Sequence, residues 1–132
     1  MASSHRQVTV DVPAETAWRA IRDIANTHKL FPGVLTDCRL EDGARVVTFA
    51  NGMVVRELVV DIDEARRRLA YAAVGGRMTH HNASLQVFEA AAGTSRIEWI
   101  ADFLPEAMKE PVAGLMDQGA AALQVALANS QA

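Results

Sequence analysis

The sequence predicts an α+β fold: a first strand, short helices, a run of antiparallel strands and one long C-terminal helix. Three observations carry this. Six stretches between residues 34 and 103 have the composition of strands and are joined by links too short for a parallel crossover. Apolar residues recur at helical spacing near both ends of the chain. At 132 residues the chain has the length of one domain, 1–132, able to bury a sizeable core.

Residues 6–12, "RQVTVDV", alternate apolar and polar side chains, the pattern of a strand. Pro13 suits the first turn of a helix, where its missing N–H costs nothing, and Glu15 favours that positive end. Ala14, Ala17, Trp18, Ile21, Ile24 and Ala25 then form an apolar stripe, which "HKLFPGV" interrupts. Strands are predicted at 34–41, 44–50, 53–62, 68–74, 80–90 and 94–103, with "EDG", "NG", "DEAR", "GG" and "AAGT" between them. Asn51-Gly52 is the strongest hairpin signal. Arg66-Arg67-Arg68 falls between two strands and reads as an exposed turn. Pro111 opens the last helix, where Val112, Leu115, Met116, Gly119, Leu123, Val125 and Leu127 recur mostly at three- and four-residue steps through 129.

Composition narrows the function. With 50% hydrophobic residues, 22% charged residues and a net charge of -3, nothing points to nucleic acid or an anionic membrane as partner. The single cysteine, Cys38, excludes an internal disulfide and cysteine-rich zinc sites, and in a plain strand it reads as an inert thiol. "MASSHRQVTV" lacks the apolar stretch of a signal peptide and no run approaches membrane-spanning length. A cytoplasmic protein without stable membrane insertion is expected, in which "NAS" at 82–84 has no glycosylation role.

Cofactor and metal signals are weak, and none is expected. "AVGGR" has neither a P-loop lysine nor the dinucleotide-binding glycine pattern. His80 and His81 are adjacent on a strand, so their rings diverge and cannot easily hold one ion together. His5 and His28 lie in other elements. No G-x-S-x-G motif marks a nucleophile.

The last helix mixes Gly114, Gly119 and Ala120 to Ala122 with Leu115, Met116 and Leu123. Small residues there either let helix and sheet approach closely or leave room for a ligand. "VTVDVPAETAWRAIRDI", "GMVVRELVVDIDEARRRLAYAAVGG" and "SRIEWIADFLP", in that order, resemble the START-like (SRPBCC) superfamily over nearly the whole chain. That group includes birch-pollen-allergen-like proteins, polyketide cyclases, coenzyme Q-binding proteins and abscisic-acid receptors. The resemblance implies a helix-grip fold, a curved seven-stranded sheet wrapped around the C-terminal helix, with two short helices after the first strand and an apolar cavity inside.

Strand alternation assigns faces. His81, Ala83, Leu85 and Val87 share one face of 80–90, opposite His80, Asn82, Ser84 and Gln86. Leu69, Tyr71 and Ala73 share a face of 68–74, and Tyr71 is the only tyrosine. In 53–62, hydrophobicity places Val54, Leu58, Val60 and Ile62 inward together with Arg56. The resemblance to abscisic-acid receptors implies the opposite face, because Glu57 matches a cavity carboxylate there, as Glu98 matches a second one. The alternative for either glutamate is a surface ion pair. In 94–103, Ile97, Trp99, Ala101 and Phe103 oppose Glu98, Ile100 and Asp102, and one bulge would reverse either strand.

The leading expectation is a binding protein for a small hydrophobic or amphipathic molecule of lipid, isoprenoid or aromatic polyketide type. Ala83, Leu85, Trp99, Leu115, Met116 and Gly119 would help line the cavity, while Glu57, Glu98, Tyr71 or His81 would fix a polar end. Gly75, Gly76, Arg77 and Met78, with His80 at the rim, would form a lid. Met53 and Met78 could adapt to varied ligands. A second expectation is a polyketide cyclase or dehydratase using Glu57, Glu98 or His81 for acid–base work, with Arg56 and Tyr71 as its few pocket polar groups. A third is a coenzyme Q-binding-like interaction module with an exposed apolar patch at Leu30, Phe31 and Val34, through which a homodimer could also form.

Overall fold

In the computed structural model, which describes residues 1–129, seven strands make one curved antiparallel sheet. They are β1 (Ala2–Val10), β2 (Leu35–Glu41), β3 (Ala44–Phe49), β4 (Val54–Asp63), β5 (Arg68–Val74), β6 (His80–Glu89) and β7 (Ser95–Leu104). Their order is β1-β7-β6-β5-β4-β3-β2, so the first strand closes onto the last. Helices α1 (Ala14–Arg22) and α2 (Thr27–Leu30) follow β1, and α3 (Lys109–Asn129) follows β7. This is the helix-grip architecture.

The central strands fall within a residue of their predicted bounds because the turns between them are strongly encoded. Gly52 has φ +90°, and the Asn51 side chain accepts the Met53 N–H at 2.9 Å to close the β3–β4 hairpin. The first strand differs. It runs from Ala2 to Val10 instead of 6–12, because β7 supplies a ladder from Ala2↔Phe103 to Val10↔Ser95. That pairing overrides the weak strand preference of "ASSH".

Helix α1 begins after Pro13 and buries Ala14, Ala17, Trp18 and Ile21 against β6 and β7. The Trp18 indole N–H donates to Glu64 at 2.8 Å, and Arg22 grips the same carboxylate, which ties α1 to the β4–β5 turn. The "HKLFPGV" interruption is partly helical, since α2 occupies Thr27–Leu30. Leu30 and Phe31 are buried in the core, and Val34 packs against it. The exposed patch expected at these three residues is therefore not there.

Helix α3 starts two residues before Pro111, which sits in the first turn where no N–H is needed. Val112, Met116, Gly119, Leu123 and Leu127 form its buried stripe. Val125 does not belong to it; two positions after Leu123, it faces outward and is 56% exposed. Arg6 on β1 donates to Asp117 at 2.6 Å and to the Ala113 carbonyl, holding α3 against the sheet. No helix of the described residues is long and apolar enough to cross a membrane.

Candidate ligand-binding cavity

The concave face of the sheet carries Leu69 and Tyr71 from β5, Ala83, Leu85 and Val87 from β6, and Ile97, Trp99, Ala101 and Phe103 from β7. Strand β4 is the instructive one. Val54 and Val60 are 57% and 62% exposed on the convex side, as is much of Leu58, while Val55, Glu57 and Val59 turn inward. A register shift between Val59 and Asp61 then returns Ile62 to the core. Inward placement of Val54, Leu58, Val60 and Arg56 is thus incorrect. Arg56 lies on the outside, bonded to Glu41 at 2.9 Å.

Glu57 faces inward because it meets a partner. In the β3–β4 hairpin it pairs across from Arg45, which is only 2% exposed. Arg45 Nε donates to Glu57 Oε1 at 2.8 Å and Nη1 donates to Thr27 Oγ1 at 2.9 Å. The guanidinium also lies 4.7 Å from the centre of the Tyr71 ring, a cation–π contact. The Tyr71 hydroxyl accepts the Trp99 indole N–H at 2.9 Å. Burial pushes its pKa far above the usual phenolic range, with the Glu57 charge acting the same way. Tyr71 therefore stays protonated.

Strands β5 and β6 pair only from Arg68↔Gln86 to Tyr71↔Ala83. Beyond that point the sheet splays, and a side chain fills the seam: Ala73 N–H donates to His81 Nδ1 at 2.9 Å. That bond fixes the neutral imidazole as its Nε2–H tautomer. Burial, and then repulsion from His80, holds His81 less basic than an ordinary histidine. Its ring lies 6.0 Å from that of Tyr71.

Between this face and α3 lies a cavity of about 140 Å³. Arg45, Glu57, Tyr71 and His81 bring polar groups to its wall. Val47, Phe31, Trp99, Leu115 and Met116 are among its apolar groups. Phe31 and Trp99 meet at 5.6 Å in a tilted arrangement, and Gly119 lets α3 pass over the indole. A Cβ at Gly119 would stand 2.8 Å from two Trp99 ring carbons, so this small residue serves close approach. Gly114, by contrast, borders open space.

Of the residues singled out in the sequence, Glu57, Tyr71, His81, Trp99, Leu115, Met116 and Gly119 come together at this cavity. Glu98 does not. It sits between inward Ile97 and Trp99, faces outward, is 38% exposed, and pairs with Arg96 at 2.9 Å. Ala83 and Leu85 share the concave face but lie outside the cavity, in the core cluster that includes Trp18 and Ile21. Gly75 and Gly76 both adopt positive φ in the β5–β6 connection. There Arg77 is exposed and Met78 reaches the cavity. Exposed His80 bonds Asn82 at 2.7 Å.

Arg45 and Thr27 were not singled out from the sequence. Arg45 could have been found by counting: it and Glu57 lie equally far from Asn51, so the hairpin turn sets them opposite each other. Cys38 is half-buried, its thiol toward the Ile24 carbonyl, and burial pushes the thiol pKa up. Among the described residues, no three His, Cys, Asp or Glu side chains cluster as metal ligands would.

A sheet gripping a helix around such a cavity has known relatives. The family model described as "Polyketide cyclase / dehydrase and lipid transport" matches residues 1–128. The chain belongs to that family. Solved structures similar to this family member include an uncharacterised protein of Bacillus thuringiensis, at 20% identity and a TM-score of 0.87 over 96% of this chain and 98% of that one. Norcoclaurine synthase from Thalictrum flavum is similar at 18% identity and a TM-score of 0.77, over 99% and 96%. The di-domain ARO/CYC protein BexL is similar at 17% identity and a TM-score of 0.76, over 96% of this chain and 46% of BexL. At such identities the likeness is one of fold. No curated protein matches the chain.

Proposed function

We propose that the protein binds a small hydrophobic or amphipathic molecule in the cavity between its sheet and α3. The observation that carries this reading is an apolar cavity into which Tyr71 and His81 bring polar groups beside the Arg45–Glu57 pair. Apolar contact supplies most of the affinity and the polar groups orient the ligand. Residues 75–79 serve as a lid, with the two positive-φ glycines as its hinge. Native mass spectrometry of protein purified from its source tests this. A small molecule should co-purify with the wild type and be lost from an Ala101→Leu variant, because Ala101 lines the cavity and the larger side chain would fill it. A protein that co-purifies with nothing, and whose Tyr71, His81 and Trp99 resonances do not move with any hydrophobic probe, would sink the proposal.

Acid–base chemistry of the cyclase or dehydratase kind is the second reading, favoured by the Tyr71–His81 neighbourhood in one cavity. A protonated phenol and a neutral imidazole can move a proton on an enolisable substrate. In that case His81→Gln would abolish turnover while leaving ligand affinity largely intact.

A further inference from the structure

An arginine in the wall of a cavity ordinarily suggests an anionic ligand. From the hydrogen bonding around Arg45 we infer the opposite: the cavity selects a neutral, one-ring molecule bearing a carbonyl oxygen and discriminates against carboxylates. The inference rests on the cavity-binding reading above and narrows it to a ligand class.

Size comes first. A cavity of about 140 Å³ is close to the roughly 150 Å³ of an engineered apolar cavity that accepts benzene. It lies below the about 300 Å³ at which sites for larger ligands begin. A single substituted ring fits the dimensions, and the Phe31, Trp99 and Met116 side chains offer it aromatic and thioether contact.

Charge comes next. The Arg45 guanidinium is compensated within the protein by Glu57, by Thr27 and by the face of Tyr71. A ligand carboxylate would have to compete with Glu57, leaving two negative charges to share one cation in a poorly solvated site. A cationic ligand would meet Arg45 itself. A neutral ligand disturbs nothing.

Polarity decides the functional group. His81 accepts through Nδ1, so Nε2 carries the proton, and no acceptor among the described residues takes it. The Tyr71 hydroxyl accepts from Trp99, and its own proton likewise has no acceptor there. Two uncommitted donors on neighbouring rings match the two lone pairs of one carbonyl oxygen.

Isothermal titration with acetophenone, ethylbenzene, benzoate and benzamidinium separates these elements. Acetophenone should bind about tenfold or more tightly than ethylbenzene, as one or two net hydrogen bonds provide, and than either ion. Glu57→Gln should reverse the preference, because Arg45 then lacks its counter-charge and benzoate can supply it. Should that variant not fold, the wild-type panel decides alone. Benzoate binding the wild type as tightly as acetophenone would overturn the inference while leaving cavity binding intact. Ethylbenzene matching acetophenone would overturn the role of the two donors. If none of the four binds, the ligand class is wrong, and a larger probe such as 2-acetonaphthone then shows whether the cavity reading falls with it.

Discussion

Gly119 and Gly114 lie five positions apart on α3, and the same substitution should act on them with opposite sign. A methyl at Gly119 collides with the Trp99 ring at 2.8 Å, and the indole is not free to swing because its N–H is bonded to Tyr71. Gly119→Ala should cost about 1–3 kcal/mol despite the better helix propensity of alanine. Gly114→Ala meets nothing and should gain about 0.5–1 kcal/mol. Urea unfolding followed by circular dichroism measures both. His81 makes a pH prediction. Its folded-state basicity lies below the ordinary value of 6.5, so as pH falls through that value the unfolded chain takes up the proton first. The contribution of His81 to stability is therefore full above pH 6.5 and is lost below it, towards the depressed folded value. Glutamine can accept the Ala73 N–H without titrating. In His81→Gln the urea midpoint should change less between about pH 7.5 and about pH 5.5 than in the wild type.

At the scale of elements, the β3–β4 hairpin matters most, because one turn sets Arg45 opposite Glu57 and buries the pair. Glu57→Leu should destabilise by about 3 kcal/mol or more, since it strands a guanidinium in the interior, whereas the double variant Arg45→Met/Glu57→Leu should recover most of the loss. A double-mutant cycle by chemical denaturation checks this. The hairpin also shows where sequence reasoning holds and where it fails. Its turn was legible because Asn-Gly has few other uses between two strands. The faces of β4 were not, because a cavity on the inner side inverts the usual rule. The inner face carries a charged residue with a partner from the next strand, and the outer face carries exposed valines. The bulge after Val59 then breaks the alternation from which either assignment would be read. On β7 no bulge intervenes, and simple alternation from Trp99 places Glu98 outside. His81 was recognisable as inward, but its bond across the splayed β5–β6 seam depends on where pairing stops, which no local pattern encodes.

Across the whole molecule, the element order was legible because each strand, turn and terminal helix is encoded locally, whereas the cavity is the space left among six or more elements and belongs to no segment. Ligand that binds only the folded state stabilises the entire chain. At a hundredfold excess over Kd, unfolding should become harder by about 2.7 kcal/mol, visible as a concentration-dependent rise in Tm that the Ala101→Leu variant lacks. Refolding should be slow for a chain of this length, on the order of milliseconds to seconds, because the first strand pairs with the last and non-local strand pairings dominate; stopped-flow mixing measures it. The two tryptophans have unequal surroundings. Trp18 is held by Glu64 in the core beneath α1, outside the cavity lining, while Trp99 borders the cavity. The chain thereby contains an emitter that a bound molecule will touch and a second that it will not. Its intrinsic emission can report occupancy against an internal reference, without any label.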